Sequence, residues 1–272
     1  MRDMTATNSV MLCSELLESE VNTLKQDEYC WESKMDGLRA LLTTNNQGGI
    51  DCLTLRNGRE CKRMFPELDC LGYPRNSVLD GELCVVKNGI SDFNSVMARK
   101  QTKSFILMSQ LLPVTFIVFD CLKFEGKNVI KTGFKARRAL LEAVKVFPPN
   151  TTLITQYRTF SEAWGGVESK EGVVGKKLDA LYVAGIRSHA QIKVKRWKTA
   201  LLPVLGFESR QRDIAVLQTS QGLVNFVVAE NVRLFWENKI RNKIALKVLV
   251  RFLELTKDNR MRMPVMVKLV EA

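Results

Sequence analysis

The chain contains one histidine, His189, and its seven cysteines include no C-x-x-C pair. A structural or catalytic zinc site draws on Cys and His at short spacings, so a zinc site of ordinary spacing is excluded. Cys13, Cys30, Cys52, Cys61, Cys70, Cys84 and Cys121 are odd in number and scattered. They read as reduced thiols of a cytosolic protein, not as a disulfide framework. No apolar run approaches the roughly 18 residues of a membrane span. Met1 to Asn8 lack the charged-then-apolar layout of a secretory leader. No membrane association is expected, and the expected location is cytoplasm, of a bacterial cell or of a phage-infected host. Repeats and low-complexity tracts are absent too.

What is present is a globular composition: 272 residues, 46% hydrophobic and 26% charged. That length suits one large domain or two smaller ones, with enough apolar material for a core. The formal net charge is +12 and the pI about 9.5. Such an excess favours a polyanion as partner: nucleic acid, an anionic membrane surface or a phosphate-rich substrate.

Val10, Leu12, Leu16, Leu17, Val21 and Leu24 fall near helical spacing, which predicts an amphipathic helix over 9–26 capped by Ser9. From there to about Lys198 the pattern is mixed. β-rich runs (Leu38 to Thr43, Val78 to Val86, Val114 to Leu122, Thr151 to Gln156, Gly172 to Lys176, Gln191 to Lys195) alternate with helical stretches, the clearest being Lys135 to Val146 before Pro148 and Pro149. The character changes near Ala200. Short strands follow at Leu202 to Glu208, Ile214 to Thr219, Leu223 to Val228, Leu246 to Leu255 and Val265 to Val270, with a small helix at Asn231 to Asn238. The expectation is an α+β chain: a domain of antiparallel sheets and helices over 1–198, then a small β-barrel of the OB type over 199–272. With no Gly/Ser linker between them, the boundary is a short hinge.

The densest chemistry lies in Glu32-Ser33-Lys34-Met35-Asp36-Gly37-Leu38-Arg39. An amine attacks phosphorus only when unprotonated, and free lysine, with a pKa near ~10.4, is a poor nucleophile at neutral pH. Neighbouring cations and burial would favour the neutral form, and Arg39, Lys193 and Lys195 are the candidates to supply the charge. Taken alone, the same eight residues read equally well as a surface strand and turn with alternating charges.

Lys34 to Arg39 nevertheless matches K-x-D-G-x-R, and further motifs follow in order. Leu55-Arg56-Asn57-Gly58 resembles S-R-N-G with Leu55 for the usual Ser or Thr. Asp80-Gly81-Glu82 matches D-G-E. Phe93 to Arg99 resembles F-Q-x-x-x-x-R with Asn94 for Gln, and Phe119-Asp120-Cys121-Leu122 matches F-D-x-L. Glu171-Gly172-Val173-Val174-Gly175-Lys176 matches E-G-x-x-x-K, Tyr182 to Arg187 resembles Y-x-x-G-x-R, and Lys193-Val194-Lys195 matches K-x-K. Over about residues 29–198 the chain resembles the lysine-nucleotidyltransferase superfamily, above all the small two-domain ATP-dependent DNA ligases of phages and some bacteria.

The resemblance implies a role for each position. Lys34 would carry AMP as a phosphoramidate, with Glu171, Lys193 and Lys195 as its catalytic partners. Glu32 would read the adenine edge and Phe119 would stack on the base. Arg39, Arg56, Glu82 and Lys176 would hold ribose or phosphate, and Glu82 and Glu171 would hold Mg²⁺. Arg39, Arg56, Arg99, Arg187 and Arg262 would contact DNA. The cofactors implied are ATP and Mg²⁺, the partner is nicked double-stranded DNA, and a monomer is expected. On a strand, residues i and i+2 share a face, so Lys193 and Lys195 can converge on one phosphate.

One departure stands out. Arg262 to Leu269 resembles the approach to the family's closing R-x-D-K motif, but Val270-Glu271-Ala272 follows in place of that ending. Either Arg262 and Lys268 substitute, or self-adenylation is slow. Rival readings are an RNA ligase of the same superfamily, and a non-catalytic nucleic-acid-binding module with a degenerate pocket. A guanylyltransferase of the capping type and an NAD-dependent ligase fit less well, the latter because its extra N-terminal domain has no room.

Overall fold

The computed structural model describes residues 10–166, 171–211, 214–227, 230–242 and 244–272. The chain divides into two compact units, Met1–Lys195 and Arg196–Ala272. In chain order the first contains β1 (Leu12–Leu16), β2 (Tyr29–Ser33), β3 (Leu38–Thr44), β4 (Ile50–Leu55), β5 (Val78–Cys84), β6 (Val86–Lys87) and β7 (Ile90–Ser91). The helices α1 (Phe93–Gln101) and α2 (Phe105–Leu111) come next. Then follow β8 (Thr115–Phe124), β9 (Lys127–Asn128), α3 (Phe134–Glu142), β10 (Thr151–Leu153), β11 (Gln156–Tyr157), α4 (Phe160–Gly165), β12 (Gly172–Lys177) and β13 (Arg187–Lys195).

These strands form two main sheets. One has the order β1-β13-β12-β2-β11, the other β10-β8-β5-β3-β4 with β9 added to β8. Pairing is antiparallel except for β1 on β13 and β10 on β8. In the five-stranded sheet Trp31, Val173, Ile192 and Val194 alternate onto one face and bury against Phe160, Ala163 and Trp164 of α4. In the six-stranded sheet Ala40, Leu42, Leu79, Leu83, Phe116 and Val118 form the core face. The period of two thus leaves the opposite face of each sheet free for polar side chains.

Two expectations for this unit change. The helix predicted over 9–26 is instead β1 followed by 3-10 turns at Glu18–Thr23 and Gln26–Glu28, and Ser9 lies outside the described residues. Its apolar residues do not serve one stripe. Val10 and Met11 pack with Leu41, Leu122 and Tyr182, whereas Leu16, Val21 and Leu24 pack with Trp31 and Val194. Two separate clusters and a parallel ladder to β13 override the helical spacing. The run Thr151 to Gln156, read as one strand, is two: β10 joins the six-stranded sheet and β11 the five-stranded one.

The second unit comprises β14 (Lys198–Pro203), β15 (Gly206–Gln211), β16 (Ile214–Thr219), β17 (Gly222–Val227), α5 (Glu230–Arg241), β18 (Leu246–Phe252) and β19 (Val265–Glu271). Two antiparallel three-stranded sheets, β14-β18-β19 and β15-β16-β17, share one core around Leu202, Leu217, Val224, Val248 and Leu269, against which Trp236 and Ile240 of α5 pack. The expected strand Leu202 to Glu208 breaks at Val204 and Leu205. Val204 N–H donates to Leu246 O and Leu205 N–H to Gln218 O, so the chain changes sheet there. Among the described residues no ladder joins the two sheets, and a closed barrel is not found. Val228, the end of another expected strand, lies outside the described residues. No helix among the described residues is long and apolar enough to cross a membrane.

Candidate active site

Lys34 follows β2 directly, and its backbone N–H donates to Gly172 O at 2.8 Å. That bond extends the β2–β12 pairing by one residue and brings Lys34 beside Glu171. Nζ of Lys34 lies 2.8 Å from Oε2 of Glu171. Gly172 is required here: its φ is +142°, and a Cβ would stand 2.0 Å from Val194 O. Gly37 is required for a different reason, since the turn after Lys34 presses on β5 and a Cβ would stand 2.3 Å from Leu83 O.

The five-stranded sheet lays its polar residues in a row. Val174 is the register partner of Glu32 on one side and of Lys193 on the other, and Lys193 is in turn opposite Glu15 of β1. Lys193 and Lys195 therefore share the face of Glu32, while Ile192 and Val194 turn into the core. Lys193 Nζ is 3.1 Å and Lys195 Nζ 3.8 Å from Glu15 Oε2. Glu32 is buried, contacted by Lys176 Nζ at 2.8 Å and accepting from Gln156 Nε2 at 3.0 Å. Lys176 also donates to Phe119 O at 3.0 Å and sits 4.3 Å from the centre of the Phe119 ring. Glu32, Lys176 and Phe119 are thus one cluster with an aromatic face and a polar edge.

The six-stranded sheet supplies the other wall. Arg39 and Glu82 are register partners, as are Glu82 and Ile117 of β8, whose face Phe119 shares. Arg39 is locked: Nε and Nη2 donate to Asp80 at 3.0 and 2.7 Å, and Nη1 donates to Met11 O at 2.7 Å. Tyr182 donates its hydroxyl to Asp80 Oδ2 at 2.7 Å and accepts from Met11 N–H at 3.0 Å. Asp80 is opposite Asp120 in register. Two buried carboxylates side by side repel unless each has a cation, and Asp120 has Arg137, bound by Nε and Nη2 at 2.7 and 2.9 Å. The guanidinium of Arg137 also lies over the Tyr182 ring, so Tyr182 touches both pairs.

The electrostatics of Lys34 reverse an expectation. Burial alone would favour the neutral amine, but the Glu171 carboxylate in contact, with Glu82 and Asp36 nearby, outweighs it and holds Lys34 above the usual lysine range. Arg39 does not act as a depressing cation because Asp80 neutralises it, and Glu15 faces Lys193 and Lys195. Lys195 is itself pushed down, first by burial and then by Lys193 and Lys34, against Glu15 and Glu171. Burial pushes the Glu82 carboxyl up to about 7; Lys34 and Arg39 pull it down, while Glu171 and Asp80 add to the rise.

The arginines matched to DNA contacts divide. Arg56 and Arg187 are exposed. Arg262 is held by Glu254 at 3.1 Å in the second unit. Arg99 is a correction: it is fully buried, bound through Nη2 to both Glu67 oxygens at 2.8 and 2.9 Å and lying over Phe65, so it braces α1 and presents no surface to DNA. The motifs contain Asp80, Asp120 and Tyr182 without assigning them a role, and Arg137 and Glu15 lie outside every motif. A signal existed for the first two, since an aspartate inside an apolar strand run needs a buried partner.

Among the described residues no three His, Cys, Asp or Glu side chains form a metal-ligand set. Mg²⁺ does not need one, because it is held by one or two carboxylates plus phosphate and water. Glu82, whose ionisation the neighbouring Glu171 opposes, and Glu171 itself, in contact with Lys34, fit that donor requirement.

Residues 10–195 match the family described as the ATP dependent DNA ligase domain. This chain belongs to that family and is an ATP-dependent DNA ligase of the nucleotidyltransferase superfamily. It is 29% identical over 222 residues, 78% of each chain, to the SPbeta prophage-derived DNA ligase-like protein LigB of Bacillus subtilis strain 168. It is 28% identical over 240 residues to DNA ligase C1 of Mycolicibacterium smegmatis, covering 77% of this chain and 67% of the other. Among solved structures, one of the Lig E DNA ligases, from a study of DNA binding with a minimal scaffold, superposes with a TM-score of 0.68 at 19% identity, over 96% of this chain and 99% of that one. A mycobacterial DNA ligase D complexed with ATP and MES gives 0.58 at 21%, over 97% and 95%. These superpositions extend the shared fold over both units.

Proposed function

We propose that the enzyme seals 3′-hydroxyl/5′-phosphate nicks in duplex DNA through AMP carried on Lys34. The observation that carries this reading is the Lys34–Glu171 contact of 2.8 Å on the sheet face that also bears Lys193 and Lys195. The Lys34 amine is held against a carboxylate able to take its proton, next to cations that suit a polyphosphate.

In the first step Glu171 accepts a proton from the Lys34 ammonium and frees the lone pair. The amine attacks the α-phosphorus of ATP, a P–N bond forms, and the P–O bond to pyrophosphate breaks with its electron pair on the leaving group. The second ammonium proton passes to solvent. Lys193 and Lys195 offset the charge that grows on the phosphate oxygens. The base lies on Phe119 with its edge towards Glu32 and Lys176, and Arg39, fixed by Asp80, defines the ribose side. In the second step a 5′-phosphate oxygen of the nick attacks the AMP phosphorus; the P–N bond breaks and Lys34 takes back its proton. In the third the 3′-hydroxyl oxygen attacks the activated 5′-phosphorus, a P–O ester bond forms, the anhydride P–O bond breaks with its electron pair on AMP, and the hydroxyl proton passes to solvent. Mg²⁺, held by Glu82 and Glu171, would supply further charge neutralisation at phosphate oxygens.

Two sheets sharing one core with helix α5 support an OB-type role for the second unit, with Arg262 and Lys268 standing in for the closing basic motif. Exposed Arg56 and Arg187 would meet phosphates, giving sequence-independent, salt-sensitive binding. The enzyme works as a monomer in cytoplasm on this reading.

The test is label transfer. With α-labelled ATP and Mg²⁺, wild type takes up label that Lys34→Ala does not, and the charged enzyme seals a nicked DNA duplex faster than a nicked RNA. Absence of both label and sealing in the wild type would sink the proposal; preference for RNA would replace it with the RNA ligase reading.

A further inference from the structure

Strand β1 delivers a carboxylate to the paired lysines, and no motif accounts for it. Glu15 is opposite Lys193 in the parallel β1–β13 register. Its Oε2 reaches both ammonium groups, at 3.1 Å from Lys193 and 3.8 Å from Lys195. One oxygen between two lysines is the arrangement a phosphate oxygen would take. The placement belongs to the fold. Five backbone positions pair β1 with β13, and just before them Met11 is tied by both its N–H and its carbonyl, to Tyr182 and Arg39.

Lys195 is almost wholly buried, with 5% of its side chain exposed, and Lys193 shares its face two residues away. Like charges so placed repel, and burial removes the water that would screen them. A negative group is needed whenever nucleotide is absent. Glu15, 30% exposed, supplies it from a side chain that can swing out to solvent.

We infer that Glu15 is a resident anion of the phosphate site, holding Lys193 and Lys195 between turnovers and yielding them to the polyphosphate of ATP. It is a positioning residue: it acts through the lysines, competes with ATP on entry, and speeds the departure of pyrophosphate by reclaiming them. This rests on the proposed role of Lys193 and Lys195 as phosphate ligands.

Two readouts on the full chain test it: calorimetric titration with inorganic pyrophosphate, and the KM for ATP in label transfer. Glu15→Gln keeps the shape and removes the charge. Both the pyrophosphate Kd and the ATP KM should fall by about fivefold, the size of effect expected of a partly exposed ion pair. Glu15→Ala should move them in the same direction, and Glu15→Asp should restore values near wild type. A residue that merely braced the strand would leave these constants unchanged or raise them, and either result overturns the inference. Lys193→Ala and Lys195→Ala separate the two levels. If they bind pyrophosphate as wild type does, the lysine reading fails and takes this inference with it. If they bind far more weakly while Glu15→Gln binds no tighter, the inference about Glu15 alone fails.

Discussion

The two sheets of the first unit handle charge in opposite ways. The five-stranded sheet sets Lys34 against Glu171 and Lys193 and Lys195 against Glu15, in contacts that a ligand can replace, with part of each lysine or its partner open to solvent. The six-stranded sheet seals its charges: Asp80 and Asp120 have no exposure, and each is bound in two places by an arginine. On the proposed mechanism the first set of charges moves during turnover, and the second set, like the buried Glu32–Lys176 pair, fixes where it must stand. Ion pairs alike on paper therefore differ in kind, and burial with bidentate geometry is the discriminator.

Substitutions on each side sharpen that contrast. Glu171→Gln removes the group proposed to take the Lys34 proton, and the rate of label transfer should drop by about 10²–10⁴-fold. The thermal midpoint should change little. A loss of folding with no separate loss of rate would erase the distinction between the sheets. Asp120→Asn should do the reverse. It leaves Arg137 buried without its counter-charge, at a cost of about 3–5 kcal/mol read from urea unfolding. Retention of wild-type stability would show that the six-stranded sheet tolerates an open charge after all.

The smallest effect concerns Glu82, a carboxyl of the six-stranded sheet that lies near Lys34. Its pKa is about 7 when folded against 4.5 for the ordinary group. Below pH 4.5 both states are protonated and the residue is neutral for stability. Between 4.5 and 7 the unfolded chain ionises first, so stability falls as pH rises, and the full cost is reached above pH 7. Glu82→Gln should therefore stabilise the nucleotide-free enzyme by up to about 3 kcal/mol at pH 8, and by nothing at pH 4. Equal stabilisation at both pH values would assign the gain to packing and not to charge.

The contrast also marks what the sequence discloses. K-x-K and E-G-x-x-x-K are legible because charged and core residues alternate along single strands, so Lys193 and Ile192 announce opposite faces within two positions. Arg39 with Asp80, 41 residues apart, and Arg137 with Asp120, 17 apart, are not legible, because strand pairing chooses those partners. Arg99 misleads for the same reason. Its position suggests a cation for DNA, and only the fold reveals that Glu67 has claimed it. The N-terminal segment misleads by serving two clusters at once, which imitates the spacing of a helix. In the second unit each strand can be read, but the switch of sheet at Val204 and Leu205 is set by carbonyls of Leu246 and Gln218.

The passage from β10 to β11 leads further. Leu153 pairs with Val118, next to Phe119, and Gln156 pairs with Glu32. Only Ile154 and Thr155 lie between, and Ile154 N–H is itself tied to Val118 O at 2.9 Å. Two residues therefore act as a gauge, fixing how far the Phe119 ring can stand from Glu32 in the slot proposed for the base. The width of that slot is written into chain length rather than side-chain choice, so point substitutions can retune what the slot touches far more easily than what it admits.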